Sequence, residues 1–233
     1  MRIEIADFVF EIKNKYPYCE QFVTDYITDK EPHFSIEVSE EELLNHPGYY
    51  EGRPLHYLEF LEIYRKICNF IVEKDGILMH GAVIEFDNKA YMFTAPSGTG
   101  KTTHIRLWKK LYGNRVNIIN GDKPLIRYIN GEFVAYGTPW CGKEHFNRNT
   151  KAPLCGIVLL SRGETNTIER LPADSFNRFL LRQVYMPKKS ALMTRVLEFA
   201  DKMFTTVPLY HMHCNISQDA AKVACEAITN NSL

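Results

Sequence analysis

The segment Ala95–Thr102, which runs Ala-Pro-Ser-Gly-Thr-Gly-Lys-Thr, has the residue types and spacing of a phosphate-binding P-loop. Gly98 and Gly100 can adopt backbone angles closed to other residues, which turns successive N–H groups inward as a nest for an anion. We expect Lys101 to bring a mobile positive charge to the β- and γ-phosphates, and the hydroxyl of Thr102 to ligate Mg²⁺. The residues predicted to contact the nucleotide are Ser97, Gly98, Thr99, Gly100, Lys101, Thr102 and Thr103. The expected ligands are therefore ATP, or another nucleoside triphosphate, and Mg²⁺.

Asp122 is the candidate for the carboxylate that such a site needs beside its metal. In P-loop proteins this acid stands at the end of a strand next to the one that feeds the loop. Asp122 follows the apolar run Val116–Ile119 and fits that pattern. The alternative is an Asx residue in a surface turn, since Gly-Asp is also ordinary turn chemistry.

His80 is a candidate because of a predicted hairpin. The runs Ile77–Phe86 and Lys89–Thr94 are apolar and β-prone, and the turn-favouring pair Asp87-Asn88 separates them. If the loop consists of that pair alone, counting back from it places His80 opposite Ala95, the first residue of the P-loop. An imidazole there could handle a proton during catalysis. The alternative is a core histidine with its hydrogen bonds satisfied.

The segment Gly137–Lys143 is a second loop suited to a ligand, because it combines flexibility, an aromatic side chain and a cation. It could close over the nucleotide or the acceptor, with Lys143 near the phosphates and Trp140 stacked on the ligand. The alternative is a surface loop with a buried tryptophan. Arg162, at the end of another predicted strand, could reach a phosphate, although a solvated position is the favoured interpretation.

Hydrophobic periodicity and turn signals indicate the elements that position these residues. Helices are predicted at Leu55–Val72, Lys101–Leu111, Ala173–Gln183, Ala191–Phe204 and Gln218–Ile228. Strands are predicted at Arg2–Ile12, Pro32–Val38, Ile77–Phe86, Lys89–Thr94, Val116–Ile119, Pro124–Ile129, Glu132–Tyr136, Leu154–Leu160 and Val207–Cys214. Without a strict βαβ alternation, the expected fold is mixed α/β, a mixed sheet with antiparallel hairpins flanked by helices. Residues 1–53 are expected to form an N-terminal region of strands and loops, packed on a catalytic core of residues 54–233.

Composition narrows the function classes. Of the 233 residues, 45% are apolar and 24% are charged, which is ordinary for a globular protein. Lys plus Arg and Asp plus Glu both number 28, so no net field favours nucleic acid or an anionic membrane as a partner. The N-terminus lacks the pattern of a signal peptide, and the six cysteines are scattered. The expected compartment is the cytoplasm, with the thiols reduced and most of them buried.

The residues Leu78-Met79-His80-Gly81-Ala82, a short hairpin and then Ser97–Thr103 resemble the core of the HPr kinase/phosphorylase superfamily. That superfamily shares its nucleotide-binding core with ATP-dependent phosphoenolpyruvate carboxykinase. The resemblance is closest to short HPr-kinase-related proteins found in peptide-modification gene clusters, some of which phosphorylate a serine. It extends over about residues 77 to 160 and is only approximate in the flanking regions.

The resemblance implies a role for each candidate residue. His80 would handle a proton or support the acid, Lys101 would clamp the phosphates, and Thr102 would ligate Mg²⁺. Asp122 would ligate the metal or take the proton of the acceptor hydroxyl. Members of the superfamily have two consecutive acids where this chain has Gly121 and Asp122. One carboxylate must therefore cover both tasks, or another residue must help.

The expected function is an ATP-dependent kinase that transfers the γ-phosphoryl group to a hydroxyl acceptor, either a serine of a peptide or protein or a small hydroxy compound. A catalytically slow nucleotide-sensing module is the alternative from another class, because of the single acid. A phosphoenolpyruvate-carboxykinase-like enzyme is disfavoured, since the chain is short and has no recognisable Mn²⁺ ligand set. Relatives of this core often assemble, so a homo-oligomer is also open.

Overall fold

The computed structural model describes residues 1–172 and 178–230, which form a mixed α/β fold. The strands are β1 (Arg2–Ile5), β2 (Phe8–Lys13), β3 (Phe34–Glu37), β4 (Gly76–Leu78), β5 (Ala82–Phe86), β6 (Lys89–Thr94), β7 (Val116–Asn120), β8 (Leu125–Ile129), β9 (Glu132–Tyr136), β10 (Lys151–Arg162), β11 (Thr167–Arg170) and β12 (Leu209–Cys214). The α-helices are α1 (Glu40–Leu44), α2 (Pro47–Tyr50), α3 (Leu55–Val72), α4 (Lys101–Tyr112), α5 (Arg178–Arg182), α6 (Ser190–Thr206) and α7 (Gln218–Asn230). Short 3₁₀ helices span Pro17–Phe22, Thr24–Tyr26 and Gly113–Arg115.

Strand β10 joins the two halves of the larger sheet, whose order is β4-β8-β9-β10-β6-β5-β7. Its start pairs antiparallel with β9, its middle pairs parallel with β6, and its end pairs parallel with β12, which in turn pairs with β11. The run Ile157–Leu160 is apolar on both faces because helices cover both: α6 packs on the side of Ile157, and α4 and α7 pack on the side of Val158. The expected mixed sheet is confirmed.

Two predicted hairpins are confirmed, and their turns explain their registers. Asp87 and Asn88 have φ angles of 49° and 61°, and Phe86 pairs with Lys89 as the two-residue loop requires. The hairpin of β8 and β9 turns at Asn130-Gly131, again with both φ angles positive. Turns of this kind match the twist of the strands that they connect, so they fix the pairing closely.

The predicted strand Ile77–Phe86 is wrong as a single element, because the chain leaves the ladder between β4 and β5. Strand β4 pairs with β8, whereas β5 pairs with β6 and β7. At the break, a Cβ on Gly81 would lie 2.5 Å from the terminal methyl group of Met92 and 3.0 Å from the carbonyl oxygen of Phe93, so the backbone there lies close to β6. His80 is thus outside the ladder, although its carbonyl oxygen accepts from Thr94 Oγ1 at 2.9 Å, at the end of β6.

The sequence predicts that the strand before Asp122 lies directly beside the strand that feeds the P-loop. In the structure, one strand separates the two. Strand β7 pairs with β5 and not with β6, which feeds the loop. Because β5 is antiparallel to both, β6 and β7 run in the same direction and their carboxyl ends lie at the same edge of the sheet. The parallel relation therefore brings Asp122 to the loop across the intervening strand.

Most helices lie where periodicity predicts them, and α3 has the expected bounds. Of the predicted helix Ala173–Gln183, residues 173–177 lie outside the described residues, and α5 occupies Arg178–Arg182. Of the helices in the described residues, none combines the length and the apolarity needed to cross a bilayer. All six cysteines are free thiols, and four are buried.

Residues 1–53 contain the three strands of a small sheet, β1-β2-β3, and also helices that the sequence prediction missed. Ser39 caps α1 through a capping box: its Oγ accepts from Glu42 N, and the Glu42 carboxylate accepts from Ser39 N. That Ser-x-x-Glu spacing is a readable helix start. The strands share one apolar cluster with α3. The division of the chain at residue 54 stays a prediction.

Gly137, directly after β9, should be intolerant of substitution. A Cβ there would lie 1.8 Å from the carbonyl oxygen of Arg148, a backbone atom that cannot turn away. We expect Gly137→Ala to lower the free energy of unfolding by about 3 kcal/mol or more in urea titrations, as overpacking does. Gly156→Ala in β10 is the control, since its nearest neighbour is a side-chain atom at 3.3 Å. Equal losses in the two variants would contradict the close approach.

Candidate functional site

The P-loop sequence forms the connection between β6 and α4. Its two interior glycines, Gly98 and Gly100, have φ angles of 77° and 121°, in the region that favours glycine. A Cβ at either position would meet no atom within 4 Å, so open space lies over this backbone. Helix α4 begins at Lys101 and adds the positive end of its dipole to the same place. The loop is a cradle of the shape and polarity that phosphate groups need.

Lys101 lies inside this cradle. Its Nζ donates to the carbonyl oxygen of Ala95 at 3.0 Å, and the residue is 8% exposed. Burial lowers the pKa of the ammonium group, and the negative charge of Asp122 acts in the opposite direction. The backbone of the loop therefore holds the ammonium group in place.

His80 and Asp122 form a hydrogen-bonded pair beside the loop. His80 Nε2 donates to Asp122 Oδ1 at 3.0 Å, and both side chains are half-buried. On the other side of the ring, His80 Nδ1 lies 2.9 Å from Gln183 Oε1. The imidazole is thus oriented from both sides, and the second oxygen of the carboxylate remains available for other contacts.

Asn120 shapes the turn that presents Asp122. Its side chain is fully buried; Nδ2 donates to the carbonyl and hydroxyl oxygens of Thr138, and Oδ1 accepts from the backbone N–H groups of Asp122 and Lys123. Burial alone would raise the pKa of Asp122, but the hydrogen bond from His80 and the nearby lysine charges outweigh it and hold that pKa below its ordinary value. The carboxylate is therefore ionised at neutral pH.

Gly121 stands where the superfamily pattern has a second acid, and the backbone is closely packed at this position. A Cβ at this position would lie 3.0 Å from the carbonyl oxygen of Cys141 and 3.2 Å from the Cβ of Phe146. The N–H of Gly121 also donates to the carbonyl oxygen of Phe146 at 2.7 Å. The loop that follows β9 thus packs directly against position 121.

Trp140 in this loop faces inward. This agrees with the alternative prediction of a buried tryptophan and not with a tryptophan that stacks on a ligand. It is 3% exposed and stacks between Phe60 and Tyr64, with ring centroids 4.8 and 4.1 Å away, and its Nε1 donates to the carbonyl oxygen of Phe60. The indole is thus part of the core and anchors the loop. Beyond it, Glu144 forms an ion pair with Arg106 of α4, which ties the loop to the helix of the P-loop.

These segments enclose a cavity of about 520 Å³, which we call the phosphate cleft. It is lined by His80, Ser97, Gly98, Gly100, Lys101, Thr102, Thr103, Gly121, Asp122, Cys141, Gly142, Lys143, Glu144 and Phe146. All the predicted site residues except Thr99 are among them, so residues far apart in the sequence meet in one place. Their functional roles stay predictions.

Two neighbouring cavities open off the phosphate cleft. The helix-side cavity, of about 380 Å³, is lined by Gly98, Thr99, Gly100, Thr103, His104, Leu107, Leu160, Arg162, Gly163, Cys214, Asn215 and Ile216. The aromatic cavity, of about 490 Å³, is lined by Tyr18, Phe22, Tyr57, Phe60, Leu61, Asp122, Lys123, Pro139, Trp140, Cys141, Gly142, Lys143 and His145. The phosphate cleft shares lining residues with each of them and so lies between them.

The donor set of the cleft fits a magnesium ion that is shared with a nucleotide. Among the described residues, no group of three or more His, Cys, Asp or Glu side chains could hold a metal by itself. Mg²⁺ is commonly held by one or two protein oxygens together with phosphates and waters. Thr102 and Asp122 would supply such oxygens in the phosphate cleft.

The fold and the cleft define a mixed α/β protein in which a P-loop sequence joins a strand to a helix beside a His–Asp pair. A family model described as "SynChlorMet cassette protein ScmC" matches residues 51–220. The chain therefore belongs to the ScmC family, and the matched stretch contains all the predicted site residues. No curated protein matches the chain.

One solved structure similar to this chain is described as the Hpr(Ser) kinase/phosphatase from Coxiella burnetii. The identity is 12%, the TM-score is 0.38, and the match covers 66% of this chain and 88% of that one. The likeness is distant.

Sequence reasoning missed several residues of the site. Gln183 and Asn120 act through contacts with segments that only the fold brings together, although the Asn-Gly-Asp sequence of the turn could have indicated an Asx motif at Asn120. Arg162 is at the loop after all: its Nη2 donates to the carbonyl oxygen of Gly98 at 2.7 Å, from an exposed position at the end of β10.

His104, in the first turns of α4, should couple stability to pH. It is 2% exposed; Nε2 accepts from Trp108 Nε1, and Nδ1 has no hydrogen-bond partner among the described residues. Burial lowers its pKa to about 4. Between that value and the ordinary 6.5, the unfolded chain binds a proton that the folded chain does not, so stability falls as the pH falls.

We expect the wild type to lose about 2 kcal/mol of unfolding free energy between pH 7 and pH 5 through this group. The His104→Gln variant is the control, because glutamine is neutral at both pH values and can still accept from Trp108. Urea titrations of both proteins at the two pH values measure the difference. If His104→Gln loses as much stability as the wild type, the histidine is not the cause.

Proposed function

We propose that this protein is an ATP-dependent kinase that transfers the γ-phosphoryl group to a hydroxyl acceptor, a serine of a peptide or protein or a small hydroxy compound. The observation that carries the proposal is that Lys101 and the His80–Asp122 pair line the same cleft as the P-loop backbone. Phosphoryl transfer needs little covalent help from a protein, because positioning and neutralisation of charge supply most of the catalysis. A cation, a carboxylate and an oriented imidazole around a phosphate cradle meet that need.

In the proposed reaction, the acceptor's oxygen bonds to the γ-phosphorus, and the bond from that phosphorus to the bridging oxygen breaks to release ADP. The proton of the acceptor passes to the carboxylate of Asp122. His80 holds one oxygen of that carboxylate, so the other can face the acceptor. Lys101 neutralises charge on the phosphates. Mg²⁺, held by Thr102 and Asp122, would supply further neutralisation when bound.

The helix-side cavity is where we place the nucleoside. It meets the phosphate cleft at Gly98, Gly100 and Thr103, so a triphosphate in the cradle would lead directly into it. Leu107 and Ile216 give it apolar walls for a base, and Ile216 is 81% exposed, which is unusual for an isoleucine. The order along the surface would then be nucleoside, phosphates and acceptor.

A second candidate function is a nucleotide-sensing module, and Gly121 is the observation that favours it. With glycine at position 121, the turn offers one carboxylate, that of Asp122, for both the metal and the acceptor. Turnover decides between the two functions, since a sensor binds Mg-ATP without acceptor-dependent release of ADP.

Removing the two charges of the cleft tests the kinase. With purified protein, Mg-ATP and candidate acceptors, we expect acceptor-dependent ADP release. It should fall by about 100-fold or more in Lys101→Ala and in Asp122→Asn, because each removes a charge that the transition state needs. Lys110→Ala, an exposed lysine on the same helix, is the control and should retain wild-type turnover. Tight ATP binding without turnover for any acceptor would support the sensor.

His80→Ala should separate catalysis from binding. Because His80 orients Asp122 and lines the cleft, we expect kcat to fall by about 10- to 100-fold while the affinity for ATP changes little. The pKa of Asp122 should rise once the hydrogen bond is lost, and carboxyl NMR can follow it. His213→Ala, an exposed histidine on β12, is the control. An unchanged kcat in His80→Ala would remove the histidine from the mechanism.

A further inference from the structure

The aromatic cavity is continuous with the phosphate cleft. Asp122, Cys141, Gly142 and Lys143 line both, so an object in the aromatic cavity lies next to the carboxylate of Asp122. The opposite side of the phosphate cleft leads to the helix-side cavity. If the nucleoside enters from that side, the aromatic cavity is the way in for the acceptor.

The walls of the aromatic cavity are built from packed rings. The rings of Phe22 and Phe60 lie 4.9 Å apart, and Phe22 stacks on His145 at 5.7 Å with an interplanar angle of 12°. Tyr18 packs edge-on against Phe22 and Phe60. Behind Phe60 stands the buried ring of Trp140. Rings held by one another in this way form a surface that is already in place for an apolar group.

Glu59 fixes the position of the N-terminal wall. Its side chain is 1% exposed, and its two oxygens accept from the backbone N–H groups of Lys15 and Tyr16 at 2.7 and 3.0 Å. Those residues lead into the 3₁₀ helix Pro17–Phe22, which carries Tyr18 and Phe22. The bonds therefore hold this helix against α3, which supplies the facing rings of Tyr57 and Phe60.

We infer that the aromatic cavity binds an apolar or aromatic side chain next to the acceptor serine of a peptide, an inference that rests on the proposed kinase function. Asp122, at the border of the two cavities, would then meet the serine hydroxyl while the neighbouring side chain lies against Phe22 and Phe60. A pocket lined by rings excludes water from such a group and gains free energy in proportion to the apolar area buried.

The size and charge of the cavity favour a peptide over a small phenol. At about 490 Å³ the cavity has the volume of a site for a ligand larger than a single ring. Lys123 and Lys143 at its lining add positive charge that suits carbonyl oxygens or an acidic residue. A peptide supplies both an apolar side chain and such oxygens around its serine.

Matched peptides test this inference. We compare capped peptides that are identical except for Phe or Ala directly before the serine, and a second pair with Phe or Ala directly after it. In phosphorylation assays with Mg-ATP, at least one Phe peptide should have a kcat/KM about tenfold or more above its Ala partner, as expected for burial of a phenyl ring. Phe22→Ala should remove most of that preference and Phe22→Leu should keep part of it. Phe34→Ala, a partly exposed phenylalanine of β3 outside the cavity, should keep all of it.

Binding of the same peptides, labelled and measured by fluorescence anisotropy, separates this inference from the kinase function. A Phe preference in binding that Phe22→Ala abolishes supports the cavity even if none of these peptides is phosphorylated, and that absence of phosphorylation would count against a peptide as the acceptor of the kinase. Equal kcat/KM for Phe and Ala peptides overturns the cavity while the kinase stands. Turnover of free phenols with neither binding nor turnover of any peptide also overturns it. Thermal unfolding of each variant identifies any loss of folding.

Discussion

The crossing of the chain at His80 and Gly81 is the constraint on which the candidate site depends. There the chain leaves the half of the sheet that contains β8 and enters the half that contains β6 and β7. The N–H of Gly81 donates to the carbonyl oxygen of Asp122, and the N–H of His80 donates to that of Gln183. Asp122 and Gln183, whose side chains contact the imidazole of His80, thus also accept hydrogen bonds from the backbone of Gly81 and His80. The His80–Asp122 pair is therefore positioned by both side-chain and backbone contacts. A Cβ at position 81 would lie 3.0 Å from the carbonyl oxygen of Phe93, so a side chain there would require small shifts at this crossing.

Burial and charge act against each other at the two ionised groups of the cleft, and their balance prepares the site for an anion. Burial lowers the pKa of Lys101, and Asp122 counteracts that effect; the converse holds for the carboxylate. Since Lys101 is already held on Ala95 O within the loop, no large rearrangement is needed to present its charge to a phosphate. Charges that are in position beforehand stabilise a transition state better than charges that must first be collected.

The parts of the structure that could be predicted from sequence are those set by local chemistry. Asp87-Asn88 specifies its turn by itself, so the register of β5 and β6 followed from counting residues. The break before β5 could not be foreseen, because it depends on which partner each strand finds: β4 pairs with β8, whereas β5 pairs with β6 and β7. For the same reason Gln183 was missed, since nothing near it in the sequence indicates its partner. The sequence leaves the role of Trp140 open, because a tryptophan in a Gly-rich loop suits a ligand site and a core equally well. The rings of α3 that stack on Trp140 show that it belongs to the core.

The loop after β9 packs on position 121, where the superfamily pattern has its second acid, and so closes this side of the cleft. Its packing crowds position 121, where a Cβ would be in tight contact with Cys141 and Phe146, and it also brings Lys143 and Glu144 to the cleft and Trp140 into the core. A side chain at position 121 would therefore require this loop to move slightly. Because Cys141, Gly142 and Lys143 of the same loop also line the aromatic cavity, the loop that packs on position 121 also shapes that cavity. A substitution that moves this loop would therefore change the phosphate cleft and the aromatic cavity together.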